Sequence, residues 1–318
     1  MPRLVYLCPD SDTPTGGIKV IYRHVEALVD LGFDAHVMHI NADFRCRWFA
    51  NNAPVLDLSK MLTSDIVVVP EVMAKLTPNL IAQKIRFVMF VQNGYLVLPS
   101  ADMATLRQCY AHTELVLSIS EDTTQLLQSV FPELVGRVMR QTYTVDRSKF
   151  KPAPKRNLVT YMPRKQPLHS ANVAPWLQAE FPDWQVVPLH GLSEDQVAAA
   201  MRVSRVFLAF SDFEGCPVPP IEAALSGNIV LGYPGWGGRE YWDEPNFRHV
   251  DMGDVRGFVR AFHEIKVLVQ RPGFDALLEP GLERLALRYD SNTEVRHLQA
   301  FVQRLGLMPM DRVLRAAA

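Results

Sequence analysis

The chain has 318 residues, 33 Lys and Arg against 34 Asp and Glu, and a net charge of -1, with 48% hydrophobic and 21% charged residues. That length suggests two domains, and the apolar share excludes a chain disordered throughout, because there is ample surface to bury. The charge balance, close to neutral in both halves, argues against a protein built to clamp nucleic acid or to dock through a basic lobe on an anionic membrane.

The cysteines Cys8, Cys46, Cys109 and Cys216 show no C-x-x-C spacing, so neither a zinc pattern nor a disulfide framework is expected. The apolar run Leu4–Cys8 is too short for a secretory leader. The stretch from Phe87 to Leu98 is interrupted by Gln92-Asn93-Gly94 and is too broken to span a bilayer. A cytoplasmic, reducing setting is the expectation.

In chain order, Leu4–Cys8 reads as a buried strand, and Ile18–Leu31 after Gly16-Gly17 as a helix that stops at Gly32. Ala35–Ile40, Ile66–Val69, Phe87–Val91 and Leu115–Ile119 read as further strands. Glu121–Phe131 reads as a helix with Ser120 at its N-cap. Residues 146–157 hold Pro152, Pro154 and five basic residues, the composition of a surface linker. The alternation then restarts with strands at Leu158–Tyr161, Gln185–Pro188, Val206–Phe210, Ile229–Leu231 and His249–Val250. Between them lie helices that include Glu194–Val203 and Ile221–Leu225, and Val255–Leu305 reads as nearly all helix. Alternating strands and helices predict an α/β protein with parallel sheets. A cleft between its two halves is the default ligand site.

The most informative segment follows the strand at Val206–Phe210. It runs Ser211-Asp212-Phe213-Glu214-Gly215-Cys216-Pro217-Val218-Pro219-Pro220-Ile221-Glu222. Pro219 and Pro220 suit the first turn of a helix ending near Gly227. Glu214 then sits in a loop and Glu222 in the early helix. Their carboxylates can accept paired sugar hydroxyls, and the positive helix end favours a diphosphate. The spacing fits two solvated acids near a helix start equally well.

The pair Glu214 and Glu222, followed by Ala223-Ala224-Leu225-Ser226-Gly227, resembles the E-x7-E signature of family 4 glycosyltransferases of GT-B fold. Gly16-Gly17 resembles that family's N-terminal glycine pair, and Ile119-Ser120-Glu121 its helix start. Tyr143-Thr144-Val145-Asp146 with Phe150-Lys151-Pro152 resembles its interdomain segment. The matched segments span residues 4–240 in order.

The resemblance implies two Rossmann-like domains with a cleft between them. Residues 1–151 would form the acceptor side and 152–290 the nucleotide-sugar side, with 291–318 a C-terminal helix crossing back to the first domain. It implies transfer of a sugar, of hexosyl type and with retention, from a nucleotide-diphosphate donor used as co-substrate, with no cofactor and no metal. Glu214 would contact the donor sugar at the reacting centre and Glu222 the ribose. Arg164 and Lys165, in Tyr161-Met162-Pro163-Arg164-Lys165, would grip the diphosphate. Gly215, Cys216, Val218, Gly237, Gly238, Gly16 and Gly17 would line the donor, and Gln92, Asn93 and Tyr95 an acceptor or sugar. By analogy the acceptor is a saccharide or a lipid-linked glycan of polysaccharide biosynthesis, with at most weak peripheral membrane contact.

Several departures stand out. Pro217 replaces a glycine of the signature and removes an N–H. Gln92-Asn93-Gly94-Tyr95 stands where many family members carry a His, and amides orient hydroxyls but do not titrate. Arg164 and Lys165 are adjacent rather than separated, and Gly237-Gly238-Arg239-Glu240 is one residue shorter than the family's G-G-x-x-E. These departures point to a different donor sugar or reduced activity.

His36 and His39 face opposite sides of a strand and make a poor metal pair. His24 reads as a packing or surface histidine, and His169 and His190 as weak candidates near strand ends. Asp10 and Asp12 read as solvated loop acids. G-x-G-x-x-G, G-x-S-x-G and H-E-x-x-H are absent. The rival reading is a non-catalytic GT-B protein that binds a sugar nucleotide or glycan. An epimerase or phosphorylase would need other bases or a pyridoxal lysine.

Overall fold

A computed structural model describes residues 2–310. Its described residues form two compact units: those up to Tyr143 together with those from Glu294 onward, and Thr144–Thr293.

The first unit is built on seven parallel strands: β1 (Leu4–Leu7), β2 (Ala35–Met38), β3 (Val55–Leu56), β4 (Ile66–Pro70), β5 (Arg86–Val91), β6 (Val116–Ser118) and β7 (Val138–Arg140). They lie in the order β3-β2-β1-β4-β5-β6-β7. Its helices are α1 (Gly16–Asp30), α2 (Thr77–Ala82), α3 (Val97–Ser100), α4 (Met103–His112) and α5 (Glu121–Val130). β1 and β4 are buried along their whole length, as parallel strands covered on both faces must be. That is why they read as unbroken apolar runs. Ser120 caps α5 as predicted, its Oγ accepting the Thr123 N–H at 3.1 Å. β3 and β7 escape the sequence reading because edge strands of two or three residues carry no periodic pattern.

The second unit holds β8 (Arg156–Tyr161), β9 (Gln185–Pro188), β10 (Ser204–Ser211), β11 (Ile229–Pro234) and β12 (Phe247–His249), all parallel, in the order β12-β11-β10-β8-β9. Its helices are α6 (Pro167–Glu180), α7 (Glu194–Val203), α8 (Val218–Leu225), α9 (Val255–Leu268) and α10 (Phe274–Arg288). The last strand starts two residues earlier than the expected His249–Val250. α11 (Ser291–Arg304) follows, and its Leu298 and Phe301 are fully buried. The stretch expected as nearly continuous helix is broken at Gly273, whose φ of 76° ends one helix register and starts α10.

Residues 146–157 lie at the surface as expected, held there by anchors. Phe150 is buried, and Val145 donates its N–H to Tyr289 O at 3.0 Å. Lys155 reaches inward, donating to Arg202 O at 3.0 Å, to Ser226 O and to Asn228 Oδ1 at 2.8 Å. Burial pushes its ammonium down to about 7, and the three oxygens, one for each N–H, oppose that push. One lysine thereby satisfies carbonyls at the C-terminal ends of α7 and α8. Lys155→Ala leaves those acceptors without it and is expected to lower unfolding stability by about 1–3 kcal/mol, read as a shifted denaturant midpoint.

Candidate functional site

In the second unit the strand order reverses between β8 and β10. Loops leaving two neighbouring strands in opposite directions open a crevice at their carboxyl ends, the usual ligand position in open α/β sheets. Arg164, Lys165 and Gln166 follow β8; Asp212, Phe213 and Glu214 follow β10. The two loops are tied there twice. The Lys165 ammonium pairs with the Glu214 carboxylate, and the Gln166 amide donates to the Asp212 carboxylate. Gln166 holds φ 45° and ψ 61° at the N-cap of α6, a left-handed conformation that a non-glycine residue adopts under strain.

Burial pushes the Lys165 ammonium below its usual value, and the neighbouring Arg164 guanidinium pushes the same way. The Glu214 carboxylate against it works in the opposite direction. Arg164 is exposed and Glu222, the fifth residue of α8, is half-buried. The structure thus brings Lys165 and Glu214 together directly.

The start of α8 carries Pro219 and Pro220 in its first turn, as expected. Pro217 is its N-cap, and Val218, Pro219 and Pro220 open the helix, so of these four residues only Val218 carries an N–H. The Pro217 carbonyl accepts the Tyr241 hydroxyl at 2.8 Å. Cys216 Sγ lies 3.8 Å from the Tyr289 hydroxyl. A helix end with so few amides is a poor phosphate cradle.

Gly237 and Gly238 are buried and serve packing. The Gly237 N–H donates to Glu214 O at 3.1 Å. A Cβ on Gly237 would lie 1.7 Å from Gly215 O, and one on Gly238 would lie 2.1 Å from Pro234 O. The glycines let this loop lie directly against the Glu214–Gly215 backbone, and the Gly237 amide is bonded within the protein. A three-residue 3-10 turn, Arg239–Tyr241, follows instead of a longer helix. Arg239 lies over the Trp236 ring at 3.9 Å.

In the first unit the order reverses between β1 and β4. Gly16 and Gly17 open α1 beyond β1, with Thr15 extended at the N-cap. Gln92, Asn93 and Tyr95 follow β5, and the Gln92 Nε2 donates to Gly17 O at 3.1 Å. Tyr95 donates its hydroxyl to Asp122 Oδ1 at 3.1 Å. Two groups of predicted residues from distant parts of the sequence therefore meet on one sheet edge.

His24 and His39 pack inside the first unit. His24 is fully buried and stacks on Phe90 with centroids 5.0 Å apart; burial pushes its imidazole down to about 3. His39 Nε2 lies 2.7 Å from the Tyr22 hydroxyl and its Nδ1 lies 3.1 Å from Asp10 Oδ1. Asp10 also accepts the Asn41 N–H at 2.9 Å, so it is a loop anchor rather than a solvated acid. His169 packs edge-on against Tyr233 and His190 is exposed. Among the described residues no group of His, Cys, Asp and Glu is placed to hold a metal ion, and no helix is long and apolar enough to cross a membrane.

No protein-family model and no curated protein matches the chain. Solved structures do. Sucrose-phosphate synthase from Thermosynechococcus elongatus superposes with a TM-score of 0.71 at 11% identity, over 96% of this chain and 99% of that one. The lipopolysaccharide outer core galactosyltransferase WaaB gives 0.66 at 13% identity, over 93% and 98%. Anabaena HepE, solved with UDP and glucose, gives 0.66 at 12% identity, over 96% and 100%. Full-length likeness at this level, with two parallel sheets each reversing its strand order, establishes the fold of the chain as GT-B.

Proposed function

We propose that the chain is a nucleotide-sugar-dependent glycosyltransferase, of hexosyl type and with retention at the anomeric carbon. The observation that carries this reading is the Lys165–Glu214 pair across the reversal point of the second sheet. A cation and a carboxylate held on facing loops offer what a sugar diphosphate needs: charge neutralisation for the phosphates and acceptor oxygens for hydroxyls. The GT-B relatives lend support, since HepE was solved with UDP-glucose.

In this reading Lys165 and Arg164 bind the diphosphate, Glu214 holds the donor sugar and Glu222 the ribose. As the anomeric C–O bond to phosphate breaks, negative charge grows on the leaving oxygen beside Lys165. The acceptor hydroxyl forms the new C–O bond on the same face and passes its proton to that leaving phosphate oxygen. The protein contributes position and electrostatics rather than a covalent intermediate. The nucleotide sugar is co-substrate, with no cofactor or metal, and the acceptor is a saccharide or lipid-linked glycan of polysaccharide assembly in the cytoplasm.

The second reading is a non-catalytic sugar-nucleotide or glycan binder. It is favoured by the prolines at the start of α8 and by the Gly237 N–H bonded to Glu214 O, which leave few amides to stabilise a departing phosphate. A thermal-shift panel of UDP-, GDP-, ADP- and dTDP-sugars tests donor binding. One of them is expected to raise stability by about 2.7 kcal/mol at a hundredfold excess over its dissociation constant. A response to none of them defeats the transferase reading and sugar-nucleotide binding alike; a response without donor turnover leaves the second reading.

A further inference from the structure

Glu71 stands at the carboxyl end of β4, beside the reversal point of the first sheet, and is only 4% exposed. A buried carboxylate is tolerated only where hydrogen bonds replace water. Its two oxygens accept two consecutive backbone amides: Oε2 takes the Gln92 N–H at 3.2 Å and Oε1 the Asn93 N–H at 3.0 Å. Gln92 then carries the connection to Gly17 through its side chain at 3.1 Å. Asn93 accepts the Tyr95 N–H through Oδ1 at 3.1 Å, and Tyr95 reaches Asp122 on α5. One carboxylate thus ties the loop after β4 to the loop after β5 and, through Gln92, to the start of α1.

We propose that Glu71 is a positioning residue: its carboxylate fixes the Gln92–Asn93 backbone, so that the Gln92 amide stays seated on Gly17 and the acceptor-side groups keep one geometry. What this geometry serves rests on the glycosyltransferase reading; the bridge itself does not.

Burial pushes the Glu71 carboxyl up from 4.5 to about 7, against the pull of the amides it accepts. The folded chain therefore holds that proton more tightly than the unfolded chain. The stability this contributes is full below pH 4.5 and lost as pH rises through about 7. The ionised form that best accepts both amides is the form that weakens the fold, a pattern expected where position outweighs stability. From α4 the titratable side chain facing it is Tyr110, whose phenol burial keeps protonated. Lys75 on the same turn is exposed, β5 brings Arg86 at its opposite end, and α2 and α3 contain no titratable side chain. Tyr95, in the turn before α3, is bonded to Asp122.

Glu71→Gln keeps the shape but offers one acceptor oxygen and turns an NH2 toward the other amide. By NMR, the Gln92 and Asn93 amide protons of the unmodified chain are expected to shift together with a midpoint near the pH of 7 given by the buried carboxyl. In Glu71→Gln that titration disappears, and protection of at least one of these amides against exchange falls about tenfold. Transfer kcat falls with it, while the thermal shift produced by the donor sugar is retained and the unfolding midpoint at pH 8 is no lower than that of the unmodified chain. Amides that ignore both pH and the substitution overturn the proposal. So does a loss of activity that merely follows a loss of stability at pH 8. If no donor sugar binds the unmodified chain, the glycosyltransferase reading fails, and the amide titration alone decides the bridge.

Discussion

If the chain is the transferase proposed, Glu214→Gln is expected to lower kcat/KM for donor-sugar transfer by about 10²–10³-fold while leaving the fold nearly unchanged, because it takes an acceptor oxygen from the donor sugar and the partner charge from Lys165. The substitution keeps the side chain's length and one acceptor oxygen, but it removes the negative charge that faces Lys165. The pair is 44% exposed on the lysine and 17% on the glutamate, so solvent screening limits its stabilising effect to roughly 1 kcal/mol or less. Activity and stability should therefore separate. Steady-state kinetics of transfer, set against thermal unfolding of the same preparations, decide the matter. A fall in activity matched by an equal fall in stability would return Glu214 to the status of a surface acid.

Gly237→Ala is expected to be far more disruptive. The added methyl would lie 1.7 Å from Gly215 O, 2.3 Å from Gly215 C and 2.7 Å from Glu214 O. All three are backbone atoms, so no rotamer change relieves the contact and the Glu214–Gly215 loop must move. Overpacking of this kind typically costs about 1–3 kcal/mol or more, and a shift of about 1 Å at a reacting centre can cost about a hundredfold in rate. Gly16→Ala provides the contrast. It has no heavy atom within 4 Å of the new methyl, and alanine is the better helix residue by about 0.5–1 kcal/mol. Melting temperature measured for both variants should fall at Gly237 and hold at Gly16, and donor affinity should fall with it at Gly237. Equal tolerance at the two positions would mean that the Gly237 loop is free to relax away from Glu214.

The alternation of buried strands and amphipathic helices was legible because parallel strands must be apolar on both faces. Gln185–Pro188 and Glu194–Val203 emerge with the very limits their patterns indicate, the latter opened by Ser193 and Gln196 in a reciprocal cap. Glu71 was not legible. It is one glutamate after Pro70, and nothing in its spacing says that α4 and the loop after β5 will enclose it. The Asp10–His39 contact was within reach, since the parallel register Leu7↔Met38 sets the residues after β1 and β2 side by side. The prolines of α8 were visible too. They fit a first helical turn and, together with Pro217, also remove N–H groups from it. Gly237 and Gly238 illustrate the remaining gap: a glycine pair has the same sequence whether it opens backbone to a ligand or seats backbone on backbone.

The composition of the first unit from both ends of the sequence bears on how the chain matures. His24, stacked on Phe90, faces Glu294 at 3.8 Å, and Thr142 meets His297 Nδ1 at 3.1 Å. Leu298 and Phe301 complete the same interior. None of this can form until the last helix has been synthesised. The intervening residues, Thr144–Thr293, take roughly 10–30 s to translate at about 5–20 residues per second. For that interval the first seven strands wait with part of their apolar surface uncovered, and the second unit's sequence is complete at Thr293, before α11 has been made. The later-encoded unit is thus the one able to finish folding first, and the nascent first unit is where a holding chaperone would be needed.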